Sequence, residues 1–367
     1  LFGLGQPKRR IEISDRPSSE PVSIILPVLN EAKRIERCLD SLITQPEDVS
    51  EILVVDGGSS DGTQKIIERY HALDSRVRLV DASPVDIRWT GKAWGLNYGL
   101  QQSDAKSIWI LTVDADVWVS PKLVRSLLAH AEKTGVTTFS VATSQHLSGK
   151  PEALLHPAML TTLIYRFGSP GRARRDLHKV QANGQCFLSQ RKLLLETEAF
   201  RAAQASLCED ITIVRRLAEC GQAVGFYESD GLVDVTMYNE WRETWNNWPR
   251  SLPMRDQYFG WREIVALIGI LLVQALPLPA FLLGIILRAP LWFLILSGSL
   301  LMMRIGVLFG LARAYPAKPW SYWFSPLADL PVILRIVQFA LRKRHSWRGR
   351  TYVRGKGGTF EPLTQSD

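Results

Sequence analysis

The sequence predicts an α/β fold, a mostly parallel sheet sandwiched by helices, followed by C-terminal helices that sit across or against a membrane. Three observations predict it. Short apolar runs such as VSIILPV and EILVVD end in turn residues. Helical patterns separate them, and strands alternating with helices build parallel sheets covered on both faces. From about residue 262 onward the chain becomes far more apolar.

Residues 1–20 are polar and basic, with Pro7 and Pro17, and are expected as a flexible lead-in. Strands are expected over 22–28, 51–56, 76–81, 107–114 and 137–143. Helices are expected over 31–43, with Asn30 as N-cap, over 62–72, and over 121–133 behind Ser120 and Pro121. Lys92, following Gly91, reads as part of a turn, and residues 150–180 as less regular. EDITIVRRLAECG opens a further helix on two acids and closes it at Gly221. In a parallel sheet, ligands bind beyond the carboxyl ends of the strands. That rule gathers Pro27–Glu31, Asp56–Thr63, Asp81 and Asp114–Asp116 on one rim.

The chain has 367 residues and a net charge of +8. A basic balance fits nucleic acid, an anionic membrane surface or anionic substrates. The positive charges cluster beside the apolar segments (Arg342, Lys343, Arg344, Arg348, Arg350), with no stripe across the sheet region, so nucleic acid is not expected as a partner. Cys38, Cys186, Cys208 and Cys220 form no C-x-x-C pair, which points to a reduced, cytosol-facing domain.

Ile264 to Leu287 carries no charge, and a membrane span needs ~20 apolar residues. Ala289–Ala312 is similar, so 263–312 is expected as a transmembrane hairpin kinked at Pro277 and Pro279. Residues 236–262 are expected as interfacial helices. Trp320–Leu341 holds Asp329, Pro331 and Arg335. A charge at the bilayer centre costs ~3 kcal/mol, so 313–345 is expected as a re-entrant or interfacial segment. Basic residues on both sides of the hairpin, and the basic tail 346–367, place the chain in an inner or cytoplasmic membrane with its sheet domain facing the cytoplasm.

Asp114 and Asp116 end an apolar strand. Two acids at this spacing close on one divalent cation, and Mg2+ takes one or two carboxylates plus substrate phosphates. Together PVLNE (27–31), VVDGGSSDGT, GKAWGLNYG, DAD (114–116) and CED (208–210) resemble, in order and spacing, the family 2 glycosyltransferases. MYNEWRETWNNWPRSL (237–252) and SWRGRTY (346–352) resemble a narrower group, the membrane-bound bacterial enzymes of carotenoid glycosylation and the hopanoid-associated glycosyltransferases.

The resemblance implies a GT-A catalytic domain over 21–235 and a nucleotide-diphosphate sugar as donor, with uridine the commonest base in the family. It implies Mg2+ or Mn2+ as cofactor, held by Asp116 and Asp114. Pro27, Asn30, Glu31, Asp56, Gly57, Lys92, Asn97 and Asp114 are then expected around the nucleotide sugar. Asp56 is expected to accept a hydrogen bond from the base, Lys92 to offset diphosphate or base-carbonyl charge. Asn30 is equally read as a cap, Lys92 as a surface lysine. Asp210, ahead of Glu209, is expected as general base; helix-dipole complementarity, worth ~0.3–1 kcal/mol per charge, is the structural alternative. Trp245, Trp248 and Arg250 are expected at the acceptor gate or as interfacial anchors, and Arg348 and Arg350 at diphosphate or anionic lipid.

NNWPRSL takes the place of the Q-x-x-R-W signature of processive family members, so transfer of a single sugar is expected, and the resemblance implies inversion at the anomeric centre. The acceptor is expected to be the hydroxyl of a membrane lipid such as a carotenoid or hopanoid. The alternatives are a polyprenyl phosphate acceptor, which needs no base, and a non-catalytic membrane scaffold that binds lipid or nucleotide.

Overall fold

In a computed structural model, which describes residues 10–251, 257–347, 350–355 and 358–362, the first apolar run lies inside an eight-stranded sheet. β1 (Val22–Val28) pairs in parallel with β2 (Val49–Asp56) and with β4 (Trp109–Val113). Ile24, Ile25 and Leu26 are fully buried. Each such side chain contributes ~1.5–3 kcal/mol when removed from water, which holds this run in the interior of the sheet. β3 (Val77–Asp81) extends the sheet beyond β2. On the other side β4 is followed by β9 (Cys186–Gln190), β6 (Thr138–Ala142), β10 (Val224–Glu228) and β8 (Arg172–Arg174). Only β9 and β8 run antiparallel to their neighbours, so the sheet is mostly parallel as expected. Of the short strands β5 (Val117–Val119), β7 (Ser144–Gln145) and β11 (Val233–Val235), β5 and β11 pair antiparallel in a small second sheet.

The helices around the sheet are α1 (Ile35–Leu42), α2 (Thr63–Leu73), α3 (Gly91–Gln102), α4 (Leu123–Thr134), α6 (Arg191–Glu196), α7 (Ala199–Ala202) and α8 (Glu209–Glu219). Two expectations fail here. Asn30 does not cap α1, which begins only at Ile35; Asn30 adopts a left-handed conformation, φ 56°, and ties one loop to another. Gly91 and Lys92, read as a turn, instead open α3. Its glycines are packing devices: a Cβ on Gly99 would meet Ile25 Cγ2 at 2.6 Å, and one on Gly95 would meet Pro27 Cβ at 2.9 Å. Glycine at both positions lets the helix lie directly on β1 and β2, an advantage that outweighs its poor helix propensity.

The ends of the chain also differ from expectation. From Arg10 onward the lead-in is packed: Ile11 is buried and donates its N–H to Glu228 O, and Arg10 pairs with Glu228 at 3.0 Å. The basic tail forms an antiparallel sheet of β12 (Arg344–Trp347), β13 (Arg350–Arg354) and β14 (Phe360–Pro362), with Tyr352 and Phe360 buried and Phe360 N–H bonded to Ala205 O at 2.8 Å.

Contacts divide the chain into two compact units. Among the described residues, one takes 10–144, 170–235 and those from 343 on; the other takes 145–169 and 236–342. The second unit holds α5 (Lys150–Phe167), α9 (Trp241–Asn247), α10 (Trp261–Ile270), α11 (Pro277–Ile286), α12 (Leu291–Leu311) and α13 (Asp329–Leu341). α5 corrects the irregular reading of residues 150–180. Pro151 lies in its first turn, where no backbone N–H is needed, and Pro157 is accommodated inside it.

Leu291–Ala314 and Trp320–Leu341 are each long and apolar enough to cross a membrane. Trp261–Ala275 and Pro277–Ile286 pass the same test together, bent by 46° at a break. A π-helical turn at Leu271–Ala275 precedes Pro277, which places the expected kink. The charge argument against a span at Trp320–Leu341 weakens, because Asp329 is buried and paired with Arg304 of α12 through two hydrogen bonds of 2.8 and 2.9 Å.

Candidate active site at the carboxyl rim of the sheet

The carboxyl ends of β1, β2 and β4 bring the rim motifs together as the parallel sheet requires. Asp114 follows β4 directly. Lys92, in the first turn of α3, places its Nζ 2.7 Å from Asp114 Oδ1 and 2.7 Å from Glu209 Oε1, which opens α8. One ammonium thus joins a strand-end acid to a helix-start acid. Burial alone would pull the Lys92 ammonium down, but the facing Asp114 and Glu209 carboxylates overcome it and raise its pKa, so it stays charged.

Asp210 receives the N–H of Ile211 on Oδ1 at 2.8 Å and the N–H of Gly184 on Oδ2 at 3.3 Å. Burial, then the neighbouring Glu209 charge, pushes it up to about 7, against the pull of Lys92 and the two backbone donors. A helix N-terminus that simply keeps this acid ionised is therefore too simple a picture. Asp210 is poised near neutral pH, where a general base works best.

Asp116 is also pushed up to about 7, by burial first and then by Asp114, with Lys92 and Arg34 opposing. Its Oδ1 is buried without a hydrogen-bond partner. Among the described residues, no group of three or more His, Cys, Asp and Glu side chains is placed to hold a metal ion. Two acids, one with a desolvated and unused oxygen, nevertheless fit a divalent ion that completes its shell from substrate phosphates.

The remaining expected residues divide. Asp56 is fully buried at the end of β2, and Ser59 N–H, Ser59 Oγ and Gln64 Nε2 all donate to it, so the loop already occupies much of its acceptor capacity. Asn30 N–H donates to Ser59 Oγ and Asn30 Oδ1 accepts from Ser60 N–H; Glu31 N–H donates to Thr63 Oγ1. These two residues therefore brace the loop after β2. Pro27 lies under Gly95, and a Cβ on Gly57, beside the end of β1, would make ordinary contact with Val28 O and Val85 Cγ2 at 3.7 Å. Asn97 sits ~140° around α3 from Lys92, on another face of the helix. Arg350 opens β13, half-buried; Arg348 lies outside the described residues.

In the helical unit, one of the expected gate residues is not at a surface. Trp248 is buried, its ring 5.4 Å from that of His156, in a core with Met159, Tyr238 and Val332. The indole is consumed by packing and is not presented at an interface. Trp245 lies under the Arg335 guanidinium at 5.4 Å, and the Arg250 side chain lies outside the described residues.

The sequence reading missed Gly184 and Gln185. A Cβ on Gly184 would stand 2.9 Å from Lys92 Nζ and 3.3 Å from Glu209 Oε1, so this glycine makes room for the charge cluster. The Asn183-Gly184 dipeptide before an apolar run is a visible turn signal. Its place against Asp210 depends on β9 inserting antiparallel between β4 and β6, which no local pattern shows.

Residues 23–197 match the model of Glycosyl transferase family 2. That stretch, a little under half of the chain, resembles a family 2 glycosyltransferase domain. The chain has relatives in bacteria and archaea. The glycosyltransferase AglE of Haloferax volcanii is 33% identical over 95 residues, 25% of this chain and 30% of that protein. The succinoglycan biosynthesis protein ExoA of Rhizobium meliloti is 25% identical over 256 residues, 68% of this chain and 70% of its own. GlyG of Streptococcus pneumoniae is matched over 36% of its length, so the chain spans about a third of AglE and of GlyG. Among solved structures, the mannosyltransferase PcManGT of Pyrobaculum calidifontis, in complex with GDP-Man and Mn2+, superposes with a TM-score of 0.54 at 18% identity, covering 90% of each chain. That likeness is one of fold, and it agrees with the GT-A expectation.

Proposed function

We propose that this protein moves a single sugar from a nucleotide-diphosphate sugar to the hydroxyl of a membrane lipid, with inversion at the anomeric carbon. The observation that carries the reading is the cluster in which Lys92 joins Asp114 to Glu209 while Asp116 keeps an unpaired buried oxygen and Asp210 is held near neutrality. Asp116 and Asp114 would hold Mg2+ or Mn2+; the ion, when bound, supplies positive charge to the departing diphosphate. Lys92 adds a fixed positive charge beside it. Asp210, as the carboxylate, takes the proton of the acceptor hydroxyl while the oxygen attacks the anomeric carbon and the diphosphate leaves on the opposite side. Glu209 holds Lys92 in place and, as a neighbouring anion, helps to raise Asp210. Exposed apolar side chains on the candidate spans, including Leu283, Ile286 and Trp292, support a membrane location and hence a lipid acceptor. We place the sheet unit on the cytoplasmic side, where nucleotide sugars are found.

The test is incubation of membranes containing the protein with labelled UDP-glucose, UDP-GlcNAc and GDP-mannose plus a lipid extract, followed by mass analysis of the lipids. A new hexosyl lipid is expected. Label released only as free sugar argues against a lipid acceptor, and no release in any arm argues against the enzyme. A polyprenyl phosphate acceptor is told apart by Asp210→Asn, which abolishes transfer to an alcohol and spares transfer to a phosphate.

A further inference from the structure

We propose that the side-chain amide of Gln185 reads a hydroxyl of the transferred sugar and so sets which sugar the site accepts; the inference rests on the reading of this site as a nucleotide-sugar transferase. Gln185 is 3% exposed. Its Oε1 accepts from Thr143 Oγ1 at 2.7 Å and from Asn183 Nδ2 at 3.0 Å. The Asn183 amide fixes this orientation: its Oδ1 accepts the Gln185 N–H, so its NH2 faces Gln185, and a flip would set two NH2 groups against each other, whereas the Thr143 hydroxyl serves either way. Its Nε2 is then buried with no hydrogen-bond partner. A buried amide donor without an acceptor is costly and uncommon, and such groups call for a partner supplied from outside the chain.

The position of Gln185 says which partner. Its backbone O accepts the N–H of Asp114 at 3.4 Å, and the preceding Gly184 N–H donates to Asp210 at 3.3 Å. Residues 184–185 therefore bridge the acid at the strand end and the acid at the helix start. In a displacement with inversion, the leaving diphosphate lies with the first and the attacking hydroxyl with the second, so the sugar ring lies between. On this proposal the free Nε2 turns toward that gap, where it would meet a ring hydroxyl, which accepts. Asn183 and Thr143 hold the amide in register, so the contact is pre-organised. A site built to bond one hydroxyl rejects the analogue that lacks it strongly, because the amide is again left unpaired.

The test compares wild type, Gln185→Met and Gln185→Glu. Affinity is measured for UDP, GDP, UDP-glucose, UDP-GlcNAc and GDP-mannose, and turnover for monodeoxy analogues of the sugar that is used. The expected result is that one deoxy position costs wild type at least tenfold in kcat/KM and costs Gln185→Met nothing further, with binding of the bare nucleotide unchanged. Gln185→Glu keeps the shape and the acceptor oxygen and, assayed at a pH high enough to ionise the new carboxyl, has no donor, so it must then behave like Gln185→Met; it stands in if the methionine variant does not fold. Equal losses on every deoxy sugar in all three proteins, or weakened binding of UDP or GDP themselves, overturn the inference and leave the transferase reading intact. A wild type that binds none of the five nucleotides overturns both.

Discussion

Lys92 Nζ stands 2.7 Å from Glu209 Oε1, joining two helices that begin more than a hundred residues apart in the chain. The same ammonium reaches Asp114, so it partly neutralises acids that would otherwise repel one another. Lys92→Met is expected to lower kcat by ~10²-fold, the usual cost of removing one pre-organised stabiliser of developing charge. It is also expected to move the acid limb of the pH profile to higher pH, because Lys92 opposes the rise of Asp210. An unchanged limb would detach Lys92 from the base.

Asp210 itself predicts the pH dependence. With its carboxyl at about 7, the base is unavailable below that value. kcat/KM should rise with pH and level off above neutrality. Stability runs the other way. A carboxyl near 7 in the fold and ~3.9 in the unfolded chain binds more protons when folded, so its contribution is fully present below ~3.9 and is lost as pH rises through 7. Urea unfolding of Asp210→Asn should show a flatter decline than wild type between these limits.

Gly184→Ala puts a Cβ 2.9 Å from Lys92 Nζ. The end of a lysine moves at little cost, so the melting temperature should change by only a few degrees. The displaced ammonium leaves Asp114 and Glu209, so kcat should fall at least tenfold. Thermal unfolding and steady-state kinetics on the same sample separate the two effects. A large loss of stability with normal turnover of the folded fraction would contradict this role.

The parallel strands and the rim acids were legible because buried strands are apolar throughout and end abruptly in Asp56 and Asp114. α3 was hidden because glycines at 91, 95 and 99 lower helix propensity, whereas the reason for Gly95 and Gly99 is close packing on Pro27 and Ile25. α5 was hidden by Pro151 and Pro157. Trp248 looked interfacial because an indole suits both a membrane surface and a core, and only the neighbours His156 and Val332 decide. Gly184 and Gln185 join the site through a long-range strand insertion, which spacing along the chain does not encode.

Arg304 and Asp329 are 1% and 2% exposed, with Gln274 and Ser325 completing the group. Removing one partner of a buried pair leaves an uncompensated charge, at a cost of ~3–5 kcal/mol. Arg304→Met should therefore lower thermal stability in detergent sharply, and Arg304→Met with Asp329→Leu should recover most of it. A single variant as stable as the parent would show that the pair does not hold these helices.

The most direct test of the whole account is Asp116→Asn, which keeps the shape of the side chain but removes the charge on the unpaired oxygen. Sugar transfer should fall by ~10²-fold or more, with the melting temperature preserved and the response to added Mn2+ or Mg2+ lost. Transfer at the parent rate, with the same response to the ion, would contradict it.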